Sequence, residues 1–257
     1  MNPSSLSGRG IVITRPREHA LGLAERVRAA GGTPILFPTI EILAPRDPGE
    51  MADVIARLDR FQIAIFISPT AVSRGLEMVS VKRDWPPSLR VAAVGAGTES
   101  ALVKHGFHGV ISPANQADSE ALAALAELQD VRGRSIVIFR GEGGREWLRA
   151  TLEARGAKVE YAQCYRRARP EADANEVLAN WRRGGIDAVT ATSAEGLENF
   201  FRMIGPPGAE YLQGTPTFVP HSRIRLAAEG LGIREVVVTG RGDDRIVEGL
   251  AAFFATV

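Results

Sequence analysis

A block of sequence that predicts a strand, a turn, a helix and a second strand occurs twice in this chain of 257 residues. The copies run from Gly8 to Ile42 and from Gly133 to Arg167, and Arg15 in the first aligns with Arg140, 125 positions later. In each copy a short apolar run precedes the turn, and apolar residues recur at helical spacing after it. Such alternation restricts a chain to parallel sheets with helices on both faces.

The remainder of each half repeats as well. Apolar strands are predicted at Gln62–Ile67 and Ala188–Ala191, and each is followed by a serine that opens a helix. The sequence therefore predicts two similar α/β units of about 125 residues. The segment 34–45 is extended but contains prolines, which are poorly tolerated in a central strand, so it is predicted to be a sheet edge or a linker.

The turns between strands and helices are the predicted ligand-binding positions, because ligands of open α/β sheets bind at the carboxyl ends of the strands. Helix N-termini present free N–H groups to anions, hydroxyl groups add hydrogen bonds, and arginine pairs with carboxylates or phosphates. A cleft between the two units would then accept an acidic ligand. The candidate substrate-binding residues are Arg15, Ser68, Thr98, Arg140, Gly141, Arg145, Ser193 and Ser222.

Simpler roles remain open for several of these residues. Ser68, Ser193 and Ser222 each stand where a helix N-cap is expected. Arg145 can be a solvated residue of a first helical turn, and RGEGGR at 140–145 can be only a flexible turn.

Composition and motifs exclude several classes of protein. A net charge of +1 argues against a broad nucleic-acid or membrane footprint. The single cysteine, Cys164, excludes an internal disulfide and favours a reducing compartment. Residues 1–10 lack a signal-peptide pattern, so a cytoplasmic protein is expected. Walker and G-x-G-x-x-G motifs are missing, which disfavours a nucleotide-dependent enzyme, and the missing G-x-S-x-G motif disfavours an acyl-transfer nucleophile. The histidines are scattered without a second ligand at usable spacing, so no metal site is expected.

The order and spacing of seven motifs resemble the uroporphyrinogen-III synthase family across nearly the whole chain, and the central RGEGGR…LxxRGAxV…Y piece is the most specific. The motifs are IVITRP at 11–16, FISPTAV at 66–72, AVGAGTESAL at 93–102, SEALAAL at 119–125, RGEGGREWLRATLEARGAKVEYAQCYRR at 140–167, ATSAEGLENF at 191–200 and SRIRLAAEGL at 222–231.

The resemblance implies two parallel-sheet α/β domains, one of them discontinuous, joined by a two-stranded antiparallel β ladder with a cleft between them. Domain one would comprise residues 1–38 and 168–257, domain two residues 44–162, and the linkers residues 38–44 and 163–167. The implied enzyme is a monomeric lyase without cofactor or metal.

The implied reaction is the cyclisation of hydroxymethylbilane, a linear tetrapyrrole rich in carboxylate arms. Water is lost and the last pyrrole, ring D, is inverted through a spiro intermediate. Tyr165 matches the family's cleft tyrosine and is predicted to assist departure of the hydroxyl group, although a tyrosine there can also serve packing alone. The alternative function is a non-catalytic two-domain binding protein for an acidic small molecule.

Overall fold

The computed structural model describes residues 5–114 and 118–256, and strands alternate with helices along most of that length. The strands are β1 (Gly10–Ile13), β2 (Thr33–Leu36), β3 (Glu41–Leu43), β4 (Ile63–Phe66), β5 (Arg90–Ala93), β6 (Ser135–Gly141), β7 (Lys158–Ala168), β8 (Ala188–Thr190), β9 (Thr217–Val219) and β10 (Val236–Val238). The helices are α1 (Arg17–Ala29), α2 (Pro48–Ala56), α3 (Pro69–Ser80), α4 (Ala96–Lys104), α5 (Ser119–Ala123), α6 (Trp147–Ala154), α7 (Asn175–Arg182), α8 (Ala194–Gly214), α9 (Ser222–Gly230) and α10 (Asp243–Phe254). Short 3-10 helices occupy Leu58–Arg60 and Ala126–Leu128.

The strands form two five-stranded sheets that share an order of four strands, β9-β8-β1-β2 in one and β5-β4-β6-β7 in the other, and each sheet has one further strand at an edge. Sheet 1 runs β10-β9-β8-β1-β2 and sheet 2 runs β3-β7-β6-β4-β5. In sheet 1, β1 pairs in parallel with β8; in sheet 2, the equivalent strand of the second repeat, β6, pairs in parallel with β4. The predicted fold class, α/β with two mostly parallel sheets, is confirmed, and the repeat seen in the sequence is a repeat of sheet topology.

Contacts divide the chain into two compact units. Unit 1 contains residues up to Glu41 together with residues from Ala168 onward, and unit 2 is Ile42–Arg167. The proline-bearing segment forms β2 and β3, each at the edge of its sheet, as predicted. The first strand of each repeat therefore lies beside strands from the other repeat.

One of the two apolar cores of unit 1 lies where α1 covers β1. Every residue of β1 is buried, and α1 buries Ala20, Leu23, Ala24 and Val27, which recur at helical spacing on one face. Replacing Leu23 by alanine would cost about 2–5 kcal/mol of unfolding free energy, because the cavity could not fully collapse.

Unit 2 has an aromatic core under α3. The rings of Phe66 on β4 and Phe139 on β6 stack at a centroid distance of 4.5 Å. A Cβ at Gly75 of α3 would lie 2.6 Å from the Phe139 ring, so only glycine lets this helix approach the sheet so closely. This close approach packs α3 directly on the face of sheet 2.

The described helices include no candidate for a membrane-spanning segment. Over residues 5–114 and 118–256, no helix combines the length and the apolar character that a bilayer span requires.

Candidate functional site

The carboxyl edge of sheet 2 brings Ser68, Gly141 and Tyr165 together. Ser68 follows β4, Gly141 ends β6, and Tyr165 lies opposite Gly141 where the register of β6 and β7 shifts by one residue. The Tyr165 Oη atom lies 3.3 Å from Ser68 Oγ. The register shift directs the tyrosine toward the end of β4, which the strand periodicity alone would not indicate.

Ser68 is also the N-cap of α3. Its Oγ accepts a hydrogen bond from the backbone N–H of Ala71 at 3.1 Å, which satisfies one of the free amides of the first turn. A serine hydroxyl has one proton and two lone pairs, so Ser68 can accept this bond and still donate to Tyr165. When Ser68 is the donor, the phenol proton of Tyr165 is available to another acceptor.

Gly141 creates the space for the Tyr165 ring. A Cβ at this position would lie 2.7 Å from both Cε2 and Cζ of Tyr165, far inside van der Waals contact. Next to it, the backbone N–H of Glu142 donates to the Tyr165 carbonyl oxygen at 2.8 Å. The tyrosine is only 2% exposed, so a ligand can reach its hydroxyl only after a neighbouring group moves.

Thr98 lies at the same edge of sheet 2. It occupies the first turn of α4, is 5% exposed, and donates its backbone N–H to the Gly95 carbonyl at 2.9 Å. A Cβ at Gly97 would be 3.9 Å from Pro69 Cγ, so the first turns of α3 and α4 are neighbours. The two helix N-termini present amide N–H groups and hydroxyls close together, which suits carboxylates.

Arg140 is the penultimate residue of β6, and its buried side chain contacts the turn that follows the strand. Its Nε donates to the Gly141 carbonyl at 3.2 Å, its Nη1 donates to Glu146 Oε1 at 3.0 Å, and its Nη2 donates to the Gly143 carbonyl. The residue is 4% exposed. The guanidinium is therefore occupied in holding the 140–146 turn closed, an arrangement different from the open carboxylate partner that its sequence position suggested.

Tyr161 and Glu146 both contact the Arg140 side chain, and the sequence did not single out either of them. The Arg140 guanidinium carbon lies 4.4 Å from the Tyr161 ring centroid, within the range of a cation–π contact, and Tyr161 Oη donates to Glu146 Oε2 at 2.6 Å. Burial, followed by the bond to Glu146, raises the pKa of Tyr161 to about 12. The bond from Tyr161 and the charge of Arg140 hold the pKa of Glu146 below its ordinary value. We call Arg140, Glu146 and Tyr161 the Arg140 cluster.

Arg145 lies outside this cluster. Its Nη2 pairs with Glu120 at 2.5 Å, and its side chain is largely exposed. The arginine can leave this exposed partner at little cost, because exposed ion pairs contribute at most about 1 kcal/mol.

In unit 1, Arg15 follows β1 but is already paired. Its Nη1 lies 2.5 Å from Asp243 Oδ1 at the start of α10, and its buried Nε has no hydrogen-bond partner among the described residues. The pairing joins residues 228 positions apart, so sequence reasoning could not identify it. Any bound carboxylate would have to compete with Asp243 for this arginine.

The serines of unit 1 differ in role. Ser193 caps α8, accepting from the Gly196 N–H at 3.0 Å, as its position predicted. Ser222 is not the N-cap of α9; His221 is, with its Nδ1 accepting from the Arg223 N–H at 3.1 Å. The expectation for Ser222 as a cap was wrong because an imidazole nitrogen can accept the same bond, and Ser222 is instead an exposed residue of the first turn.

Neither a metal cluster nor a reactive thiol is found in the part of the chain that the structure describes. It contains no group of three or more His, Cys, Asp or Glu side chains arranged to hold a metal ion. Burial raises the pKa of the Cys164 thiol to about 12, so this cysteine stays neutral near pH 7.

Comparison with known proteins identifies one family throughout. The model of the HEM4 family, described as uroporphyrinogen-III synthase HemD, matches residues 22–244. The uroporphyrinogen-III synthase of Salmonella typhimurium is 33% identical over 236 residues, which cover 91% of this chain and 96% of that protein. The uroporphyrinogen-III synthase of Escherichia coli K12 is 30% identical over 236 residues, with the same coverage of 91% and 96%.

Solved structures show the same fold at lower identity. A mutant uroporphyrinogen III synthase of Thermus thermophilus has a TM-score of 0.66 and 18% identity, covering 97% of this chain and 100% of that chain. The uroporphyrinogen-III synthetase of Helicobacter pylori 26695 has a TM-score of 0.60 and 15% identity, covering 95% and 99%. These two likenesses concern the fold alone.

Proposed function

Since this chain belongs to the uroporphyrinogen-III synthase family, we propose that Tyr165 and Ser68 of unit 2 carry its chemistry. The activity is that of a hydro-lyase, the class of uroporphyrinogen-III synthase. One observation supports the assignment most strongly: Tyr165 Oη lies 3.3 Å from Ser68 Oγ at the carboxyl edge of sheet 2, where parallel α/β sheets bind their ligands.

The proposed substrate is hydroxymethylbilane. The bonds that break and form in its reaction define what the protein must supply. The carbon–oxygen bond of the hydroxymethyl group breaks, the oxygen leaves as water once it gains a proton, and a cation remains on the pyrrole chain. The cation first forms a carbon–carbon bond to the already substituted α-carbon of ring D, which gives the spiro intermediate. The bond between that carbon and its original methylene bridge then breaks and leaves a second cation on the bridge. The bridge finally bonds to the other α-carbon of ring D, which loses its proton, and the ring closes with ring D inverted. The protein must donate a proton, stabilise positive charge and hold the chain folded.

Tyr165 is proposed to donate to the departing hydroxyl group. Ser68 Oγ accepts a hydrogen bond from the Ala71 backbone N–H, so the Ser68 hydroxyl proton can be donated to Tyr165 Oη. The phenol proton of Tyr165 then points away from Ser68. Removal of the hydroxyl group leaves a cation whose charge the phenol oxygen can then face. Ser68 is in this proposal a positioning residue for Tyr165, and Gly141 provides the space in which the ring lies.

The carboxylate arms are proposed to bind at helix N-termini and at arginines. In unit 2, Ser68 and Thr98 begin neighbouring helices whose amide groups suit anions. In unit 1, Ser193 and Ser222 lie in equivalent turns.

The arginine candidates divide by the partners that they already have. Arg15 would exchange Asp243 for a substrate carboxylate, and Arg145 would likewise exchange Glu120. Arg140 would instead remain bound within its own turn and keep the neighbouring Gly141 in place.

The test is a product-isomer assay. Fresh hydroxymethylbilane is supplied with the protein or with buffer, and the products are oxidised and separated by chromatography. We expect predominantly the type III isomer with protein and the type I isomer with buffer, because the unaided substrate closes without inversion. Type I product in both samples would contradict the proposal and would favour a non-catalytic binding protein for an acidic small molecule.

Four further features of the protein are also proposed. The domain boundaries lie within 38–44 and 163–167, which is supported by the change of contact partners at Glu41/Ile42 and Arg167/Ala168. The protein is a cytoplasmic monomer that needs no cofactor or metal, in keeping with its single, buried cysteine. Light scattering after size exclusion should give the mass of one chain, and treatment with a chelator should leave the rate unchanged.

A further inference from the structure

Unit 2 has an apolar groove that the proposed reaction does not use. It lies between α2 and α3, has a volume of about 670 Å³, and is walled by Ile42, Leu43, Pro45, Ile55, Met78 and Val81. We call it the α2–α3 groove. Val81 at its rim is 77% exposed, the highest value among the large apolar side chains of the described residues. A volume of this size is in the range of small-molecule sites.

The apolar lining of the groove includes residues from both segments through which the chain passes between units. Residues Ile42–Pro45 follow the first passage at Glu41/Ile42, and Cys164 on β7 precedes the second at Arg167/Ala168. Cys164 is 2% exposed and its thiol pKa is raised by burial, so it contributes a neutral surface. A ligand here would pack against both connecting segments at once.

Among the charged residues that line the groove, some form an ion pair and one does not. Arg74 pairs with Glu77 at 3.5 Å on α3. Lys82, one of three lysines in the sequence, has no ion-pair partner among the described residues. The nearby Asp47 carboxylate is engaged as the N-cap of α2, accepting from Gly49 and Glu50. An apolar trough with an available ammonium at its rim is therefore complementary to an apolar molecule with one negative end.

We propose that the α2–α3 groove binds a small amphipathic anion, with its apolar body along Ile55, Met78 and Val81 and its carboxylate at Lys82. The groove does not suit the tetrapyrrole substrate. Such a molecule carries many carboxylates, and the apolar walls would leave most of them without partners, at a high desolvation cost. The site is thus separate from the edge at Ser68 and Tyr165, and it does not depend on the proposed function.

The test uses decanoate as the probe, with decyltrimethylammonium and decanol as matched ligands of opposite and zero charge. Isothermal titration calorimetry on the full chain should show one saturable decanoate site, weaker binding of decanol and the weakest binding of decyltrimethylammonium. Lys82→Ala should weaken decanoate about fivefold and leave decanol within about twofold, because only the charged end loses its partner. Lys104→Ala, which removes a lysine from α4, is the control and should change neither.

A second variant tests the apolar body of the site without touching the charge. Ala52→Trp places an indole from the exposed face of α2 into the groove and should abolish binding of both decanoate and decanol. Ala252→Trp adds the same ring to an exposed position of α10 that does not line the groove, and should bind normally. Equal binding of the three ligands, or unchanged binding to Ala52→Trp, would overturn the proposal. A change in mass by light scattering without decanoate binding would also overturn it, in favour of a site for a second protein segment.

Discussion

Tyr165 Oη and Ser68 Oγ lie 3.3 Å apart although 97 positions separate these residues in the sequence. The contact joins the end of β7 to the first turn of α3, with Gly141 supplying the space for the ring. Three nearby groups thus depend on one another: a cap, a phenol and a glycine. Substitutions at each of them should have separable effects on stability and on turnover.

Tyr165→Phe should lower kcat about 100-fold while KM changes little, because the ring remains and only the proton donor is lost. The residual activity reflects a substrate whose hydroxyl group also leaves unaided. Steady-state kinetics with fresh substrate measure the effect. Tyr211→Phe, a change to a half-exposed tyrosine in unit 1, is the control and should retain the parental kcat. A kcat for Tyr165→Phe within twofold of the parent would remove the phenol from the mechanism.

Ser68→Ala should reduce both stability and turnover, but only in part. Loss of the α3 cap should cost about 1 kcal/mol of unfolding free energy, and loss of the bond to Tyr165 should lower kcat about tenfold. Asp47→Ala removes the cap of α2 and should give a similar loss in urea unfolding with normal kcat. Complete loss of activity in folded Ser68→Ala would contradict a site in which binding is spread over many turns.

Gly141→Ala should displace the Tyr165 ring, because the new Cβ would lie 2.7 Å from two ring atoms. We expect a stability loss of about 1–3 kcal/mol from overpacking, together with a fall in kcat. Gly230→Ala at the end of α9 has no atom within 4 Å of the added Cβ and should be neutral by both measures. An unchanged kcat in Gly141→Ala would mean that ring placement does not limit the reaction.

Glu146→Gln should change how the free energy of unfolding depends on pH in the acidic range. The bond from Tyr161 and the charge of Arg140 lower the pKa of Glu146 from 4.5, so its contribution is present above that value and is lost as pH falls through the folded pKa. The variant should therefore show a smaller stability decrease below pH 4.5 than the parent, measured by urea unfolding. Glu248→Gln, at an exposed pair on α10, should follow the parent curve. An identical pH dependence in the acidic range for Glu146→Gln and the parent would show that the Arg140 cluster does not bind this carboxylate tightly.

Asp243→Asn should free Arg15 for the substrate. The ion pair at 2.5 Å occupies the arginine in the resting protein, and removing its charge lowers the cost of exchanging it for a carboxylate arm. We expect KM to fall severalfold with kcat unchanged, provided that unfolding experiments show an intact fold. A raised KM would indicate that Asp243 is needed to orient Arg15 rather than to compete for it.

Some site features were predictable from local sequence because they depend on neighbours a few residues away. The caps at Ser68 and Ser193 are examples, since each bonds to an amide three positions later. The position of Arg140 near the carboxyl end of a strand was also predictable, but the partners of its guanidinium group were not. Its guanidinium stacks on Tyr161, which reaches it only because β6 and β7 are adjacent.

The amino-acid sequence by itself determined the repeat, the alternation of strand and helix, the parallel sheets and most helix starts, because periodicity and capping act over a few residues. Tertiary structure decided which side chains lie together at the candidate site and which are already held by partners within the protein. The register shift between β6 and β7 sets Tyr165 beside Ser68, and Asp243 reaches Arg15 from 228 positions away. These contacts depend on strand order and register, which arise only when distant segments pack together and bury their apolar faces.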